Sequence, residues 1–298
     1  MSEPFLSYAE ATRAGISRRR LQSAEFTRLM RDCYVPADVP LNHELLVRAA
    51  LRTIPGANFA CHNSAALLWR GIVPSTSLAH IGGVDARRSI RDQVSFHQYK
   101  HAPDIGRVRG IPVTSPAQTF FDMAAKLEFL DLLILGDSLI HKTRLTADGL
   151  RSAARDSPGR GGRLAREVAA ACRDRVESPG ETRTRLLLSG ANFPEPAVNH
   201  PINDAEGNEV RRIDLAYPNW KIAIEYDGRH HIERQTQWTA DIGRREELEA
   251  DDWRFIVVTS SDIYPHPEGL LQRVADMIAQ RSGVRPVIES GWRRYFVR

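Results

Sequence analysis

Apolar positions change their period along the chain, and the changes outline its elements. In "HELLVRAALRTI" the residues Leu45, Leu46, Ala49, Ala50 and Ile54 recur at helical spacing. "SAALLWRG" predicts a shorter helix closed by Gly71, and "SLAHIGGV" and "DQVSFHQYK" read as strands. Ser115 as N-cap with Pro116 at the first helical position opens one helix through "FFDMAAKLEFLDLLILGDSLI". Residues 42–154 are therefore expected to form an α/β domain. Further on, "SPGETRTRLLLSG" is a helix, "PAVNHPI", "EVRRIDLAY" and "KIAIEYD" are strands, and "TQWTADIGRREELEADD" is a helix. "RFIVVTS" is a wholly apolar strand and "EGLLQRVADMIAQR" a last helix. The order α-β-β-β-α-β-α places a second α/β domain at residues 177–282.

The first residues follow another pattern. "LSYAEATRAG" can form a short helix from Ser7 to a C-cap at Gly15, and Ser17 fits as N-cap for "RRRLQSA". "EFTRLMRDCYV" is rich in strand formers. Residues 5–35 thus read as a helix-turn-helix with a small hairpin. Arg18, Arg19 and Arg20 open its second helix, the layout used to enter a DNA groove; the alternative is a solvated basic helix face. Gly, Pro and Arg are dense and apolar residues absent in "RDSPGRGGR", which predicts a linker over residues 155–163.

Charge sharpens this division. The net charge of the 298-residue chain is +4, but residues 1–176 hold 25 Lys/Arg against 17 Asp/Glu, and residues 177–298 hold 16 against 20. A basic part beside an acidic part suits one segment that meets a polyanion and another with a different task. The three cysteines, Cys33, Cys61 and Cys172, have no C-x-x-C spacing, which argues against a zinc site and suits a reducing cytoplasm. No apolar run reaches the roughly 20 residues of a membrane span, and the N-terminal stretch has no secretory pattern. His62, His80, His97 and His101 are scattered and are expected to be structural or exposed.

The sharpest chemical signal is "RRIDLAYPNWKIAIEYDGRHH". With Asn219 and Trp220 as hairpin loop, Asp214 faces Glu225, Arg212 faces Asp227 and Ala216 faces Ala223. Ile213, Leu215 and Tyr217 then line the opposite face with Tyr226, Ile224 and Ile222. Facing side chains have Cβ atoms about 5 Å apart, so two carboxylates there need a cation, a shared proton or an arginine such as Arg212 between them. Hard oxygen ligands favour Mg²⁺ or Mn²⁺, which could polarise a phosphodiester and activate water. Glu181 could add a carboxylate or simply suit the first turn of its helix. His230 or His231 could move a proton or hold phosphate. Asp241 with Arg244 or Arg245 could orient the site or touch the DNA backbone.

The strand order, with Asp214 on one strand and Glu225-x-Asp227 on the next, resembles the restriction-endonuclease-like PD-(D/E)XK nucleases. "GETRTRLLL" and "DIGRREELEADDWRFIVVT" resemble the branch related to very-short-patch-repair endonucleases. The resemblance implies an αβββαβ endonuclease domain with Asp214 and Glu225 as metal ligands and Glu181 as the acidic residue of the leading helix. Asp227 stands where that superfamily usually has lysine, which makes His231 or Asp227 the candidate for activating water. "GISRRRLQSAEFTRLMRDCYV", "ACHNSAALLWRGI" and "RGIPVTSPAQTFFDMAA" resemble AbiEi-type antitoxin-like proteins with a winged helix. That resemblance implies DNA as partner, an operator or toxin partner among the possibilities. Two expectations follow: a Mg²⁺- or Mn²⁺-dependent DNA endonuclease, or a non-enzymatic regulator with a degenerate nuclease fold. The same carboxylate chemistry would serve RNA.

Overall fold

The computed structural model describes residues 4–84, 92–155, 161–204, 206–228 and 251–296 of a mixed α/β chain. Two compact units divide it, Met1–Ala171 and Cys172–Arg298.

The first unit opens with β1 (Leu6–Ser7), α1 (Tyr8–Arg13), α2 (Arg18–Leu21), β2 (Phe26–Met30) and β3 (Cys33–Pro36). Ser7 and Glu10 form a reciprocal capping box on α1, and Gly15 follows the helix at φ +75°. The Ser17 hydroxyl accepts from the Arg20 amide and caps α2. The three strands pair antiparallel in the order β1-β3-β2. Next come α3 (His43–Thr53), β4 (Phe59–Ala60), α4 (His62–Leu68), β5 (Ala79–Val84), β6 (Val94–Tyr99), β7 (Ile105–Val108) and β8 (Ile111–Thr114). Their sheet runs β6-β5-β4-β8-β7, with β5/β6 and β4/β8 parallel. Phe5, Met30 and Val35 belong to the same core cluster as Leu45, Val47, Ile81 and Val113. The N-terminal segment therefore shares its core with the residues after it and does not pack as a body of its own.

The unit closes with α5 (Pro116–Ala124), α6 (Phe129–Lys142), α7 (Ala147–Arg155) and α8 (Gly162–Ala171). Ser115 caps α5 as expected, its hydroxyl accepting from the Gln118 amide. The long helix predicted from it is instead two. The Lys126 and Leu127 amides both turn back to the Met123 carbonyl, at 2.9 Å each. Gly161 lies so close that an added Cβ would stand 2.7 Å from the Ala124 carbonyl. The break coincides with this close tertiary contact, with no Gly or Pro at residues 124–128 to announce it. The Gly-rich stretch 155–163 also differs from expectation. Residues 156–160 lie outside the described residues, but α8 beyond them packs on α6 and α7, and the division between units falls after Ala171.

The second unit starts with α9 (Pro179–Gly190), capped by the Ser178 hydroxyl with Pro179 at its first position. It continues with β9 (Ala197–Asn203), β10 (Glu209–Tyr217), a 3₁₀ turn (Pro218–Trp220), β11 (Ile222–Tyr226) and β12 (Arg254–Val258). Helices Ser260–Ile263, Pro267–Ser282 and Arg293–Phe296 complete the unit. The sheet order is β12-β11-β10-β9, antiparallel except for the parallel β11/β12 pair. Ile213, Leu215, Ile222, Ala223 and Ile224 are all buried, as the central strands of a two-sided sheet require. The helix predicted over 236–252 falls almost wholly outside the described residues. Among the described residues no helix is long and apolar enough to cross a membrane.

Candidate functional site

The hairpin between β10 and β11 has the register its sequence predicts: Leu215 pairs with Ile224, Ala216 with Ala223 and Tyr217 with Ile222. Its turn is a 3₁₀ turn over Pro218–Trp220, followed by Lys221 in the left-handed region at φ 49°. The backbone ladder stops at Leu215/Ile224. One residue further, the Tyr226 amide donates 2.9 Å to Asp214 Oδ2. A side-chain carboxylate thus takes an amide of β11, and the strands part beside Asp214. Strict alternation ends here as well, because Ile213, expected on the opposite face, shares a core cluster with Ala216 and Ala223.

Asp214 is half-buried, and its carboxyl is held above the usual range, first by burial and then by the charges of Glu225 and Glu177. The Tyr226 amide and Arg211 act the other way. Glu225 does meet an arginine, though not the expected one. Arg211 Nη2 lies 2.7 Å from Glu225 Oε1, while Arg212 pairs with Glu209 at 2.6 Å and Glu177 at 2.9 Å. A register shift between Glu209 and Arg211, where β10 meets β9, displaces both arginines from their regular facing positions.

Glu181 enters from the first turn of α9 and is 5 % exposed. Its Oε2 accepts from the Glu177 amide at 3.0 Å and from Asn199 Nδ2 at 3.1 Å. Burial is the largest cause that raises its pKa to about 7; the neighbouring Asp214 charge adds to the rise, and the Glu177 amide opposes it. The helix comes this close because residue 180 is glycine. A Cβ on Gly180 would stand 2.1 Å from the Tyr226 ring. Gly180→Ala is expected to cost about 1–3 kcal/mol of stability in urea unfolding, much of it recovered in the Gly180→Ala/Tyr226→Ala double variant.

Asp227 is half-buried at the end of β11, and its amide donates 2.7 Å to the Val258 carbonyl. His231, Arg244, His230, Asp241 and Arg245 lie outside the described residues. Asp214, Glu225 and Glu181 are thus brought to one end of the β10/β11 pair, where the Asp214 charge acts on Glu181 and the Glu225 charge on Asp214. Among the described residues they do not form a set of three with all ligand atoms within 4.8 Å of one another. A cavity of about 770 Å³ beside the turn, lined by Pro194, Tyr217 and Trp220 among others, includes none of these carboxylates.

In the first unit, Arg18, Arg19 and Arg20 lie exposed on α2. Arg20 Nη2 is 2.8 Å from Glu25. The scattered histidines are where reading the sequence fell short: His62, His80 and His97 converge. The His62 and His97 rings stack with centroids 3.7 Å apart, and His80 Nδ1 is 3.0 Å from His97 Nε2. The β5/β6 register brings His80 and His97 together and the packing of α4 on β5 adds His62, so their spacing along the chain carries no trace of it.

The chain is 27% identical over 229 residues to "Uncharacterized protein MT2308" and, equally, to "Uncharacterized protein Rv2248", both from Mycobacterium tuberculosis. Each match covers 76% of this chain and 84% of the relative. No family model matches the chain. A crystal structure of the RV2827C protein from Mycobacterium tuberculosis aligns with TM-score 0.40 and 14% identity over 68% of this chain and 84% of that one.

Proposed function

We propose that the protein binds DNA through its N-terminal unit and hydrolyses phosphodiester bonds in its C-terminal unit with Mg²⁺ or Mn²⁺. The observation that carries this reading is the parting of β10 and β11 beside Asp214, with Glu225 and Glu177 close enough to raise the energy of its charge and Glu181 raised in turn by Asp214. A half-buried carboxylate among like charges suits a cation. The donors are hard oxygens, which fits Mg²⁺ or Mn²⁺. Asp214 and Glu225 would hold the ion; when bound, it would polarise the phosphoryl oxygen and acidify the attacking water. Glu181, with its pKa about 7, is suited to exchange a proton with water near neutral pH. Asp227 or His231 is the alternative base. The resemblance to PD-(D/E)XK nucleases of the very-short-patch-repair branch supports the same assignment. RNA remains a substrate of equivalent chemistry.

The winged-helix reading of residues 5–35 assigns Arg18, Arg19 and Arg20 to phosphate contacts, with Arg244 a further contact from the second unit. Replacing Arg18 and Arg19 by alanine is expected to weaken duplex DNA binding about tenfold and reduce the salt slope by about 2. Titration of labelled duplex at several salt concentrations checks this; an unchanged slope would remove α2 from the interface.

One observation favours a second reading. The Arg211–Glu225 pair at 2.7 Å neutralises a metal ligand from within the protein. A regulator of AbiEi antitoxin type would use the C-terminal unit as a partner surface and need no ion there. That reading expects footprinting on the protein's own promoter to show a protected site, lost with Arg18 and Arg19 and kept when Asp214 is replaced.

A further inference from the structure

We propose that Cys61, His62 and His97, in the N-terminal unit, hold one transition-metal ion of the zinc class. The Cys61 sulfur and one ring nitrogen from each histidine lie within 4.8 Å of one another. Thiolate and imidazole together select Zn²⁺ and its neighbours over Mg²⁺ or Ca²⁺. A further observation points at a ligand. His62 Nδ1 is buried with no hydrogen-bond partner in the protein, an arrangement that is costly unless something else occupies its lone pair or takes its proton. His62 has φ +50°, a left-handed backbone that Asn, Asp and His adopt more readily than other side-chain-bearing residues, at the first position of α4.

His97 is oriented by His80 at 3.0 Å and Ser95 at 3.2 Å. Asp122 accepts from the Tyr99 hydroxyl at 2.6 Å and from Gln118 at 2.9 Å, and binds the His62 backbone. Outer partners of this kind fix ligand rings in metal sites. A cavity of about 560 Å³ is lined by His62, His97, Tyr99 and Asp122. The in-plane lone pairs of two stacked rings run parallel, so one ring must turn about its Cβ–Cγ bond to ligate. On binding, the Cys61 S–H bond breaks, its proton passes to solvent and a sulfur–metal bond forms; no electron is transferred. Water would fill the fourth position.

The test uses Co²⁺ on the full chain, because a thiolate–cobalt charge-transfer band reports the cysteine and cannot arise at the carboxylates of the second unit. One equivalent of Co²⁺ is expected to develop that band, and Zn²⁺ to bleach it. Cys61→Ala should abolish the band, while His62→Asn, which tolerates the left-handed backbone, and His97→Gln should each weaken Co²⁺ binding on the order of 100-fold. Cys33→Ala, Cys172→Ala and Asp214→Asn should keep the band. Circular dichroism establishes that each variant is folded, and the histidine variants keep the test decisive if Cys61→Ala is not. A folded wild type without the band, a band that survives Cys61→Ala, or undiminished affinity in both histidine variants would overturn the assignment.

Discussion

Replacing Asp214 with asparagine is expected to lower metal-dependent DNA cleavage about 10³-fold or more while leaving the fold intact. Asparagine keeps an oxygen that can accept from the Tyr226 amide, so the bond spanning the parted strands survives. What disappears is the negative charge that would hold the ion. That charge is raised in energy by burial and by Glu225 and Glu177. In the presence of a chelator the Asp214→Asn protein should therefore be as stable as the wild type or more so. Inactivity together with undiminished stability separates a functional carboxylate from a structural one. A variant that is inactive because it unfolds would show a lowered thermal midpoint instead.

The second large effect is on stability against pH. Glu181 titrates higher in the folded chain than its ordinary 4.5, at about 7, mainly through burial. The folded state therefore binds this proton more tightly than the unfolded state does. The stabilisation is fully present below about pH 4.5 and is lost as pH rises through about 7. At about 1.4 kcal/mol per unit, the loss by pH 8 is on the order of 3 kcal/mol. Glu181→Gln, measured in chelator by urea unfolding across this range, should remove most of that loss and be the more stable protein above pH 7. Mn²⁺ should offset the loss in the wild type, because bound cation stabilises the charged carboxylates. A pH profile identical in wild type and Glu181→Gln would show that burial does not disturb this carboxyl.

Much of the second unit was legible because its signals are local. The apolar runs predict each described strand of the sheet, and parity gives the register of the hairpin from Leu215/Ile224 to its turn. Ser115-Pro116 and Ser178-Pro179 mark helix starts because their caps act within one turn. The misses all depend on contacts distant in sequence. A register shift beside β9 gives Glu225 to Arg211 instead of Arg212. The predicted helix breaks after Ala124, where Gly161 approaches closely. The parallel β5/β6 pairing places His97 beside His80, and α4 packed on β5 sets His62 against them, which no period in the sequence expresses. The Gly/Pro-rich stretch at 155–163 has linker composition, yet α8 folds back on the first unit, since composition records flexibility and not what the next helix packs against.

The most direct measurement incubates the purified chain with supercoiled, single-stranded and mismatched DNA, with and without Mg²⁺ or Mn²⁺, beside the Glu225→Ala protein. Cleavage that requires the ion and vanishes in Glu225→Ala is the predicted result. Folded wild type that cleaves none of these substrates and binds no Mn²⁺, or cleavage that persists in Glu225→Ala, would contradict it.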